Sequence, residues 1–284
     1  MRLGKRTTAA TLAAATATAS AGLLGATAHL AASASTAPRI VTVTITGHGV
    51  TMEPGTTLPA GKVVFKVEVP KGDHTLQLAH LHDGYSKKQA GQDVNAAFGG
   101  DVKAVRRVDR NIDWLGGNEA TPGHPGMFAI NLSKGSYLAL DQESNNVQGF
   151  DVVAAASNYR TIYPSSFVTT KHNRFHVHTD LALPRAGWVK FHNNAQEPHM
   201  LVLQHVKQST TKQDVRDYAA AGSNKRPSWG LSDAIGAGVV SPGTTQVVHY
   251  SLPAGKYLIA CFWPSKDTGM PHFNMGMWKL IEMS

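Results

Sequence analysis

The chain has 284 residues, a formal net charge of +8, 42% hydrophobic residues and one cysteine. That length suits two domains of about 100 to 150 residues each, and the apolar content excludes a chain without a core. The cations are scattered apart from Lys103, Arg106, Arg107 and Arg110. No aromatic ladder accompanies them, so nucleic acid is not an expected partner and the cluster reads as a solvated face.

Arg2, Lys5 and Arg6 precede a weakly apolar, Ala/Thr-rich run, the pattern of an export signal. Residues 1–34 are read as that signal, with cleavage near Ala28 or Ala34. The run is too short and too rich in Thr, Ser and Gly for the roughly 20 apolar residues of a membrane span. The mature chain, with 24 bases against 19 acids and a net charge of +5, is expected to be secreted without a membrane anchor.

After Pro38 short runs alternate apolar and polar: Val41, Val43 and Ile45; Val63, Phe65 and Val67; Leu76 and Leu78. Period two predicts strands with one buried face. Lys87 to Phe98 reads as a helical insertion. Later come Leu201 and Leu203, a second helical insertion from Thr211 to Ala221 with Asp214 in its opening turns, and Val247 and Tyr250 through Ile259. Residues 154–173 lack a clear period and hold Ala154-Ala155-Ala156-Ser157, which predicts a linker between domains at 39–153 and 174–284.

The sequence also repeats itself. Asp113 to Gly116, Thr121-Pro122-Gly123 and Leu132 to Leu138 run in register with Asp233 to Gly236, Ser241-Pro242-Gly243 and Leu252 to Leu258. Leu58 to Phe65 and His74 to His80 parallel Leu183 to Phe191 and His199 to His205. A duplicated antiparallel sandwich with one helical excursion in each copy is the expected fold, an all-β class.

Cys261 cannot form an internal disulfide, so it is a buried thiol, an intermolecular linker or a metal ligand. A strand ends at it and another begins near Met277. The loop between holds Met270, His272, Met275 and Met277, and soft sulfur with imidazole suits copper. The segment Phe191 to Leu203 supplies a second imidazole at His199, after an Asn-rich turn ending in Pro198.

In this paired pattern, a Pro-His turn opening one strand and a closing Cys, His, Met loop after a Gly-x-Tyr strand, the chain resembles the cupredoxins, the blue copper proteins. The resemblance implies two tandem Greek-key sandwiches and one copper ion in the C-terminal domain. It carries the ligand roles onto His199, Cys261 and His272, with Met277 as the axial methionine and Met275 as its alternative. It further implies single-electron transfer with a redox or copper-trafficking protein as partner. An extracellular copper(I) carrier and a metal-free interaction module are the other readings. The first domain carries Asp141 where Cys261 stands in the second, and is expected to lack this ligand set. The pairs His80/His82 and His176/His178 have the His-x-His form of multicopper oxidases, but Ala260 and Phe262 flank the cysteine where those enzymes and the copper nitrite reductases need histidine. Oxidase or reductase chemistry is therefore not expected, and the pairs read as surface histidines.

Overall fold

A computed structural model describes residues 39–144, 146–154, 162–178, 183–222 and 225–284; residues 1–34, read as a signal, lie outside them. In chain order the strands are β1 (Arg39–Thr46), β2 (Gly49–Glu53), β3 (Thr57–Pro59), β4 (Gly61–Glu68) and β5 (His74–Leu81). Helices α1 (Lys87–Phe98) and α2 (Val102–Asn111) follow. Then come β6 (Ile112–Ala120), β7 (Gly126–Leu132), β8 (Gly135–Asp141) and β9 (Val147–Val153). The rest comprises β10 (Ser166–Lys171), β11 (Arg174–Val177), β12 (Ala186–Asn193), β13 (His199–Val206), α3 (Lys212–Ala221), β14 (Gly230–Val240), β15 (Thr245–Ser251), β16 (Gly255–Ala260) and β17 (Trp278–Met283).

The alternating residues do what their period requires. Val41, Val43 and Ile45 of β1, Val63, Phe65 and Val67 of β4, and Leu76 and Leu78 of β5 are fully buried, while Thr42 and Thr44, alternating with the β1 valines, are partly exposed. Phe65 stacks on Phe128 at 5.2 Å. In the second half Val189, Phe191, Leu201, Leu203, Tyr257 and Ile259 join the same core cluster, which also takes in Cys261 and Met277.

Two sheets face each other across this core, and both run through the first and second halves of the chain. One has the strand order β11-β10-β12-β15-β7-β4-β1-β2 and the other β17-β16-β13-β14-β6-β5-β8-β9-β3. The halves join where β15 pairs with β7, Val248 opposite Phe128, and where β14 pairs with β6, Ala237 opposite Asn118. The described residues from Arg39 to Ser284 belong to one compact unit. The all-β sandwich class expected from the sequence is the class of the structure.

Side chains lock the seam. The Gln77 amide accepts from Val239 N–H at 2.7 Å and donates to Val239 O and Gly116 O. Gln246 accepts from Gly117 N–H at 2.9 Å and donates to Gly238 O. Both glutamines are buried, so these bonds satisfy groups that would otherwise be costly to desolvate. Close approach here demands glycine: a Cβ on Gly117 would lie 1.8 Å from Leu76 O.

Two expectations need correction. The first half contains two helices rather than one insertion. Asp101 caps α2, accepting from Lys103 and Ala104 N–H, and Ala104, Val105 and Val108 bury one face, so the cation cluster is the outer face of a helix. The segment read as linker also contains β10, paired in parallel with β12. Its buried positions are Ser166, Val168 and Thr170, and two small polar residues at core positions hide the alternation.

Candidate metal centre

The site is built from a pinned turn and a hydrogen-bonded loop. Asn193, buried at the end of β12, donates to Glu197 O at 2.8 Å and Val240 O at 2.9 Å, and its Oδ1 accepts from Thr170 and Ala195. That fixes the turn 193–198 and aims His199, the first residue of β13. On the other side the chain leaves β16 at Ala260 and doubles back: Phe273 N–H donates to Cys261 O at 2.7 Å and His272 N–H to Trp263 O at 2.9 Å. Met277 N–H donates to His272 O and Cys261 N–H to Met277 O. Gly269 holds the loop against the turn between α1 and α2, where a Cβ would lie 2.3 Å from Gly100 O and φ is +73°.

His199, Cys261 and His272 are fully buried, and their donor atoms converge. The two imidazole Nδ1 atoms are 3.1 Å apart. The Cys261 sulfur is 3.5 Å from Nδ1 of His199 and 3.6 Å from Nδ1 of His272. A point about 2.0 Å from all three atoms lies at the centre of that triangle, close to ordinary metal–nitrogen and metal–sulfur bond lengths of roughly 2.0–2.3 Å.

The surroundings set the protonation of each group. Burial lowers His199 to about 3, helped by the nearby His272 and opposed by Glu197, so this imidazole is neutral. Burial pushes the Cys261 thiol up to about 12, against the Met200 and Trp263 backbone N–H groups that face the sulfur. Glu197 is also pushed up by burial. The His272 imidazole, whose Nε2 lies 3.3 Å from Oε2, and the Lys266 N–H at 2.8 Å outweigh that and bring the carboxyl down to about 2.

The donor set fits a metal ion. With Nε2–H of His272 turned to Glu197, its Nδ1 lone pair points into the triangle, the usual outer support of a ligating histidine. Nε2 of His199 is buried with no hydrogen-bond partner, so this ring lacks the outer support that Glu197 gives His272. Thiolate with two imidazoles is the donor chemistry of copper(I), copper(II) and zinc.

The sequence-predicted methionines separate. Met277 is fully buried in the cluster that includes Cys261. Met275 is 47% exposed, its sulfur accepting from Thr268 Oγ1 at 3.5 Å. Glu197 was not assigned a role from the sequence. Its place two residues before His199, inside a Pro-His turn, is the only signal there. In the first half His74 Nδ1 lies 3.0 Å from both oxygens of the buried Asp141. Ser144 also donates to that carboxylate, so a hydrogen-bonded imidazole and carboxylate stand where the second half has its sulfur. His178 Nε2 is bonded to Thr169 Oγ1 at 2.7 Å.

No family model matches the chain, and no curated protein does. Solved structures do show similarity. Auracyanin from Roseiflexus castenholzii, in its dithionite-reduced form, is 14% identical with a TM-score of 0.26; the alignment covers 42% of this chain and 94% of that one. Auracyanin A from Chloroflexus aurantiacus, a "blue" copper protein, is 16% identical with a TM-score of 0.29, covering 42% and 99%. A multicopper oxidase is 10% identical with a TM-score of 0.21, covering 86% and 88%.

Proposed function

We propose that the chain is a copper protein of the cupredoxin type that passes single electrons, its ion held by His199, Cys261 and His272 with Met277 as the weak fourth ligand. The observation that carries this reading is the buried triangle of two imidazole nitrogens and one sulfur. When bound, copper supplies a one-electron couple between its +1 and +2 states. The chain's part is to hold its donors still. Asn193 fixes the turn before His199, Glu197 fixes the His272 ring, and the ladder between Cys261 and Phe273 fixes the sulfur. Donors that do not move between oxidation states, in a pocket closed to water, keep the reorganisation accompanying electron transfer small.

A two-domain division, with β10 (Ser166–Lys171) added to the second domain read as 174–284, and secretion after cleavage of residues 1–34 belong to the same proposal. Among the described residues no helix is long and apolar enough to cross a membrane.

Copper(II) added to the purified chain should give an intense visible thiolate-to-copper absorption, lost in Cys261→Ser. A colourless titration with the same affinity in native and variant protein refutes the assignment.

A second reading is favoured by the exposure of Met270 and Met275, 48% and 47%, on the ligand loop. Two surface thioethers beside a buried sulfur site suit the handing over of copper(I), making the chain a carrier or buffer. Strong preference for copper(I) without reversible one-electron cycling would select it.

A further inference from the structure

We propose that His80, His82 and Asp113 form a second metal site, independent of the first, that takes a borderline divalent ion such as zinc(II) on the first half of the chain. His80 of β5 pairs across the ladder with Asp113 of β6, so strand register brings an imidazole and a carboxylate to one spot. His82 follows two residues later, where the chain turns out of the sheet. It is held there by its N–H on Asn111 O and by Tyr85 N–H on its own carbonyl, both at 3.0 Å.

The side chains converge on one atom. His80 Nδ1 is 3.3 Å and His82 Nε2 3.1 Å from the same oxygen, Oδ2 of Asp113, and all three donor atoms lie within 4.8 Å of one another. The His80 ring packs against Tyr137 at 5.7 Å between centroids, which keeps its Nδ1 face turned toward the carboxylate. Without a metal, both rings must present N–H to a single oxygen. An ion replaces those two protons and joins three lone pairs instead.

Imidazole, imidazole and carboxylate are the donors of zinc sites that leave positions to water. With no sulfur in the set, the preference differs from that of the buried triangle. The three side chains are 37%, 43% and 49% exposed, so an ion reaches them without any opening of the fold and water completes its shell.

Zinc(II) titration by calorimetry tests the site, using the full chain in a Cys261→Ser background that removes the sulfur of the other centre. His82→Asn should abolish one binding event. Asp113→Asn should weaken it by at least the roughly 10- to 100-fold that loss of a supporting group costs. His176→Asn, in the exposed pair of the second half, should leave it unchanged. Equal titrations of the Cys261→Ser protein with and without His82→Asn overturn the proposal. Should His82→Asn fail to fold, anomalous diffraction at the zinc edge from zinc-soaked native crystals decides. A peak bonded to His80, His82 and Asp113 upholds the site, and its absence there overturns it.

Discussion

Asp109, on α2 beneath the metal-site loop, should destabilise the protein at neutral pH. Both of its carboxylate oxygens are buried with no hydrogen bond of full geometry, and the equally buried indole Nε1 of Trp263 lies near them. Burial raises the carboxyl from 3.8 to about 7, and the Trp263 indole pulls it back only in part. A folded-state value above the unfolded one means that folding holds the proton. Below pH 3.8 both states are protonated and the group is neutral in effect. Between 3.8 and 7 stability falls as pH rises, and above 7 the full penalty stands. About three pKa units correspond to about 4 kcal/mol, and screening at the partly open helix surface reduces this to roughly 2 kcal/mol. Asp109→Asn keeps the shape and removes the charge. Urea denaturation of both proteins should show no difference near pH 4 and a gain of roughly 2 kcal/mol for the variant at pH 8. A gain independent of pH, or a loss at pH 8, refutes the reasoning.

Three further outcomes are expected. Met277→Leu should shift the reduction potential and spectrum of the copper-loaded protein while Met275→Leu leaves both unchanged, read by voltammetry; equal effects would remove Met277 from the site. Because the thiol sits near 12 and His199 near 3, capture of an ion displaces the thiol proton while His199 has none to lose. Apparent copper affinity, measured by chelator competition, should then rise about tenfold per pH unit between pH 6 and 8. Gly117→Ala forces a methyl into the Leu76 carbonyl and should cost about 3 kcal/mol in chemical denaturation.

Much of this was legible in residue order. The alternation in Val41, Val43 and Ile45 marked β1 because one face is wholly apolar. The set His199, Cys261 and His272 was legible because donor softness is a property of residue type, and the loop ending at Met277 places two of the three within one hairpin. The partners of those ligands were not. Glu197 acts through His272, 75 residues away, and no local pattern announces such a contact. Asp113 joins His80 only through a β5–β6 register that resumes after two helices. Helix α2 was masked by its cations, and β10 by Ser166 and Thr170 in core positions. The joining of β7 to β15 and of β6 to β14 carries no periodic signature, since edge strands and joined strands alternate alike.

The glutamine bonds across the seam bear on how the chain behaves when it is divided. Parting the halves would strand the amides of Gln77 and Gln246 and open two strand edges, β6 and β7, that have matching edges in β14 and β15. Fragments produced separately should therefore seek each other and re-form the pair of continuous sheets. The same complementarity gives two intact copies a ready way to exchange halves.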